Sequence, residues 1–136
     1  MPITIKLPVE KEFILEQSDK ILECEGEPTK ASFRVAREGE HMKRMELWRD
    51  FTRNITPDGE IQISQSVSPA EIQCKEVFLT MTACNVLAAD NELLFRFPLV
   101  ESKFRLAWAS LPTIVADELH AFALEMNPLW AFGEEL

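Results

Sequence analysis

The tightest constraint on this chain lies in its middle, where Ser68-Pro69-Ala70-Glu71 opens a segment that stays apolar for some twenty residues. Ser68 can accept from the N3 backbone N–H, Pro69 suits the first helical position, and Glu71 can reach back to the cap. From Pro69 to Ala89 the segment carries Ile72, Cys74, Val77, Phe78, Leu79, Met81, Ala83, Cys84, Val86 and Leu87. A helix without a polar face must be covered on most sides. The reading is therefore one buried helix over 69–89, with Phe78 and Met81 inaccessible, around which the rest of the chain packs.

The flanking segments supply that cover. Val100, Phe104, Ala107, Trp108 and Leu111 form one apolar helical stripe, and Val115, Leu119, Phe122 and Met126 form the next, hinged on Leu111-Pro112 and closed by Asn127-Pro128. Between the central segment and these helices, Asp90-Asn91 marks a turn, and Leu93 to Phe97 makes a dense apolar connector. Upstream, Met42, Met45, Trp48 and Phe51 recur at steps of three, an amphipathic helix of about four turns. Lys43-Arg44, Arg49 and Arg53 read as its solvated face, paired with Glu46 and Asp50. The helix should stop near Asn54, before the turn signal Pro57-Asp58-Gly59, and Ile61 to Val67 is either a short strand or a loop.

The N-terminal part has a different period. Ile3, Ile5 and Leu7 alternate with polar residues in an extended arm over 1–8. Phe13, Ile14 and Leu15 form a short block, and Phe33 and Val35 alternate with Ser32 and Arg34. Two or three short antiparallel strands are expected, leaning on helices because an isolated hairpin is marginal. The fold class is thus α+β, mainly α: a small N-terminal antiparallel β element on a bundle of about four helices. The 136 residues fit one domain, with a β-rich part over 1–36, a helical part over 37–130 and an acidic tail over 131–136.

Composition narrows the function by exclusion. With 23 Asp+Glu against 14 Lys+Arg, the net charge of −9 disfavours nucleic acid and anionic membrane as partners. No apolar run approaches the ~18 residues of a membrane span, and no signal peptide is visible at Met1, so a soluble cytoplasmic protein is expected. The three cysteines make neither a disulfide nor a zinc framework. Cys24 sits in a polar loop, whereas Cys74 and Cys84 read as buried residues about 15 Å apart on one helix.

Glycines at 26, 39, 59 and 133 fit no phosphate-binding turn. Asp117 and His120, three apart, could pair on a helix face, but no third ligand stands nearby, and they read as a solvated polar face. His41 beside Glu38 reads the same way. No catalytic residue, cofactor site or metal site is expected, and the protein is read as non-enzymatic. The tryptophans are more informative. Trp48 and Trp108 fall on core stripes, whereas Leu129, Trp130 and Phe132 follow the last helix and either fold back on it or anchor a partner or another copy of the chain.

The order of these elements, with Phe104, Ala107, Trp108, Leu111 and Pro112, then Val115 to His120, then Asn127, Pro128 and Trp130, resembles the tail assembly chaperones of long-tailed bacteriophages, particularly the siphophage type. The resemblance covers the last third of the chain by residues and the rest by layout. It implies a non-catalytic protein of the host cytoplasm that keeps the tape measure protein soluble and helps tail tube protein polymerise around it. It also implies self-association, absence from the mature virion, and a frameshift-extended product whose added domain contacts the tube protein. The alternative is a structural virion component, such as a tail completion or head-tail connector protein.

Overall fold

A computed structural model of the chain describes residues 2–4, 9–51 and 69–133, with side chains at 48–51 and 132–133 left aside. The elements are β1 (Glu10–Ile14), α1 (Glu16–Ile21), β2 (Lys30–Arg34), α2 (Glu38–Phe51), α3 (Pro69–Thr80), β3 (Met81–Cys84), α4 (Glu101–Ala109), α5 (Thr113–Met126) and α6 (Trp130–Gly133). The expected class holds: a three-stranded antiparallel sheet ordered β1-β2-β3 is packed against helices.

The sheet buries one face. Along β2 the alternation sends Ala31 and Phe33 inward, and Phe13 of β1 meets Phe33 edge-on at 6.1 Å. Phe122 of α5 stacks on Phe13 at 4.5 Å, which seats this helix over the sheet. α5 also packs on α1 and α3. Its stripe behaves as expected: Val115 and Leu119 are buried, and Phe122 and Met126 are half-buried against the core. On α4, Phe104 is buried and stacks on Trp108 at 5.8 Å, with Ala107 and Leu111 packed alongside.

The central segment departs from the single long helix. It starts at Pro69 as expected, but α3 ends at Thr80 and the chain enters β3 directly. Two features mark the switch. The Thr80 hydroxyl donates back to the Glu76 carbonyl at 2.8 Å, a bond that slightly weakens and bends a helix. The free edge of β2 then offers a ladder, pairing Ala31 with Cys84, Ser32 with Ala83 and Phe33 with Met81 across an irregularity between Ser32 and Phe33. A short apolar run serves a buried helix or a buried strand equally well. Met81 is buried as expected. Phe78 is only half-buried, resting on Phe104 at 5.5 Å.

Beyond β3, residues 86–94 fold back on themselves through a Leu87–Leu93 bridge, with Asn91 in the left-handed region at φ 63°. Asn tolerates that conformation better than most residues. α1 was not anticipated. Its first amides are held from outside, Gln17 N–H and Ser18 N–H donating to the Glu118 carboxylate at 3.2 and 3.0 Å. At the other end of the loop, Asp19 accepts from the Thr29 amide and hydroxyl.

The N-terminal arm contributes no strand over residues 2–4, and Ile3 is fully exposed; the sheet takes its third strand from 81–84 instead. Residues 5–8, the turn at 57–59, the segment 61–67, the Ser68 cap and the acidic end at 134–136 lie outside the described residues.

The thiols follow the new topology, Cys74 on α3 and Cys84 on β3, both buried and free, while Cys24 is exposed. Burial pushes both buried thiols up to about 11. Thiol-reactive dye on the native protein is therefore expected to modify Cys24 alone; rapid labelling of all three would contradict the burial. A thiol held protonated in the folded state stabilises it less once the unfolded chain ionises. Stability should accordingly fall as pH rises from about 9 to 11, by up to about 2–3 kcal/mol for Cys84. Urea unfolding of wild type and Cys84→Ala across that window should show the loss shrinking in the variant.

Candidate binding groove and a buried ionic cluster

One residue that the pattern of α2 placed in solvent, Arg44, is buried. Arg44 is 3% exposed, whereas Met42 and Met45 are 62% and 44% exposed, so the buried face of the helix carries a guanidinium in place of the methionine stripe. The side chains of Trp48 and Phe51, the other half of that stripe, are outside the described ones. Arg44 Nε donates to Glu76 Oε2 at 2.7 Å and its Nη2 to the Trp130 carbonyl at 3.0 Å, while the Trp130 ring lies 5.2 Å from the guanidinium carbon. The second Glu76 oxygen lies 2.8 Å from His120 Nε2. Glu76 is fully buried and His120 nearly so.

This corrects the reading of His120 as solvated beside Asp117. Asp117 is exposed, and the imidazole points inward to a carboxylate 44 positions earlier in the chain. The cluster joins α2, α3, α5 and the start of α6. A buried charge is tolerated when charge-assisted hydrogen bonds replace its hydration. The geometry holds helices together. Among the described residues, no group of three or more His, Cys, Asp or Glu could hold a metal ion.

The candidate anchors after α5 separate. Trp130 is folded back and buried, so it serves the cluster and is not a free contact. Leu129 is 80% exposed. Phe132 lies in α6, with its side chain outside the described ones. What fixes this turn is Asn127, whose Oδ1 accepts from the Ala36 N–H at 2.8 Å and whose Nδ2 donates to the Arg34 and Ala123 carbonyls at 3.2 Å. Asn127-Pro128 therefore does more than end a helix: it ties the end of α5 to the end of β2.

On another face, α1, the 23–29 loop, the 85–93 hairpin and the α4–α5 turn enclose a groove of about 510 Å³. Leu15, Val86, Leu111 and Val115 form its apolar floor, and Leu22, Leu87 and Leu93 stand half-exposed at its edge. Glu25 and Glu27 line it from the loop, next to Cys24. Ser18 also lines it, buried, with a hydroxyl that has no hydrogen-bond partner among the described residues. A second cavity of about 300 Å³, between the 94–100 connector and α4, has Arg96 and Lys103 among its lining residues.

In the sequence, Leu15, Val86, Leu87, Leu93 and Val115 read as apolar residues of separate elements and Cys24 as a loop thiol, but no pattern joins them into a groove. The available signal was Leu22 beside the acidic loop. No described helix is long and apolar enough to cross a membrane. Comparison with protein-family models, with curated proteins and with solved structures gives no match to this chain.

Proposed function

We propose that this protein is a non-enzymatic tail assembly chaperone of the long-tailed phage type, acting in the host cytoplasm to hold the tape measure protein soluble while tail tube protein assembles around it. The observation that carries this reading is the groove with an apolar floor and half-exposed leucines at its edge, on a chain of net charge −9. Exposed apolar clusters bordered by charge mark association surfaces, and a holdase needs such a surface for an apolar helical client.

The residues that carry the resemblance support the same reading. Phe104, Ala107, Trp108 and Leu111 form one packed unit with α5, Pro112 precedes its first turn, and Asn127 locks its end. Glu118 and His120, within the Val115 to His120 stretch, secure α1 and the ionic cluster. Self-association and a frameshift-extended form that contacts the tube protein belong to the same proposal.

Co-expression with the tape measure protein tests it. The client should be insoluble alone and soluble with this chain, and the chain should be present in lysate and missing from purified particles. A stoichiometric place in particles, with no effect on client solubility, would overturn the proposal in favour of a virion component.

A further inference from the structure

Resting on that reading, we infer that the groove between α1, the 85–93 hairpin and the α4–α5 turn receives a short apolar client segment flanked by lysine or arginine. The volume of about 510 Å³ falls within the range of formed binding pockets. Its floor and edge are leucine and valine, which would take apolar side chains and little else. The charged residues that line it have one sign. Asp19 is committed to Thr29, Glu25 and Glu27 are exposed on the loop, and no described lysine or arginine lines the groove.

A cationic flank beside Glu25 and Glu27 would be attracted, and an acidic one repelled, so the groove discriminates by sign as well as by apolarity. The cavity beside α4, lined by Arg96 and Lys103, offers the opposite sign. The Ser18 hydroxyl adds a polar handle. It belongs to a lining residue and has no hydrogen-bond partner among the described residues, so a small rotation of the side chain would let it bond a segment's backbone. A second copy of this chain is the less favoured occupant, because it brings a further net charge of −9 toward an acidic rim.

Cys24 lines the groove and is exposed, so its labelling rate reports occupancy. The probes are a short leucine- and alanine-rich peptide with lysines at both ends and its twin with glutamates there. On the full chain, the lysine-flanked peptide should bind, slow Cys24 labelling and weaken with salt, while the twin should bind at least about tenfold more weakly. Glu25→Lys with Glu27→Lys, both on the exposed loop, should reverse that preference. Leu22→Ser with Leu87→Ser, which removes apolar edge and adds no charge, should weaken binding of the lysine-flanked peptide at least about tenfold without unfolding the chain, checked by circular dichroism.

Equal binding of the two peptides, binding that leaves Cys24 unprotected, or protection of Cys24 by raised protein concentration alone would overturn the inference, the last by making a second copy the occupant. The two proposals fail separately. If wild type and the charge-reversed variant solubilise the tape measure protein equally, the groove assignment is wrong and the chaperone stands. If the lysine-flanked peptide binds as expected but the tape measure protein stays insoluble, the chaperone reading is wrong and the groove stands.

Discussion

Glu76→Ala is expected to destabilise the protein by about 3–5 kcal/mol, because it removes the buried counter-charge of a guanidinium and the hydrogen-bond partner of an imidazole in one step. Set against a total stability of about 5–15 kcal/mol, that loss would leave many such domains partly unfolded. Glu76→Gln separates charge from shape: it can still accept hydrogen bonds but brings no charge to Arg44, so it should fall between wild type and alanine. Arg44→Ala with Glu76→Ala should cost much less than the two single losses added, since the pair acts as a unit. Urea unfolding of wild type, the three single variants and the double variant measures all of this. A loss under about 1 kcal/mol for Glu76→Ala would mean that water reaches the cluster and screens it.

That cluster also marks where the sequence stopped being legible. Arg44, Glu76 and His120 are far apart in the chain and each sits on a different helix, so no local pattern joins them. Hydropathy works against the correct reading: a rule that puts methionine inward and arginine outward turns α2 to the wrong face. The rule assumes that burial is decided by transfer from water, but a hydrogen-bonded carboxylate and a carbonyl can replace the water an arginine loses. The apolar stripes of α4 and α5 were legible because apolar side chains fill most of their inward faces, His120 on α5 being the exception. Their hinge at Leu111-Pro112 and the stop at Asn127 are backbone chemistry, which is local.

The switch at Thr80 was illegible for a different reason. The sequence from Ile72 to Leu87 is apolar at both helical and strand spacing, and what decides between them is the unpaired edge of β2, almost fifty residues away in the chain. α1 was missed because its N-terminal amides are satisfied by Glu118 from another helix, with no capping residue of its own. The groove shares this origin. Its four walls come from distant parts of the chain, and only the fold assembles leucines and glutamates into one surface.

Phe95→Ala is expected to cost about 3–5 kcal/mol, as much as a truncation inside a helix or strand, although Phe95 belongs to neither. The ring is 1% exposed and lies 5.2 Å from Phe104, which in turn contacts Phe78 and Trp108. It is the one fully buried aromatic of the 93–97 connector, so truncation opens a cavity in the core beside Phe104 of α4. Surrounding backbone in an irregular segment has more freedom to collapse into a void than a helix has, and that relaxation decides where in the range the loss falls. Phe97 is the internal control. Two residues on, in the same connector, it is 38% exposed, and Phe97→Ala should cost about 1 kcal/mol or less. Thermal and urea unfolding of both variants would test the pair. Equal losses would show that the connector is held by its backbone and not by the Phe95 ring.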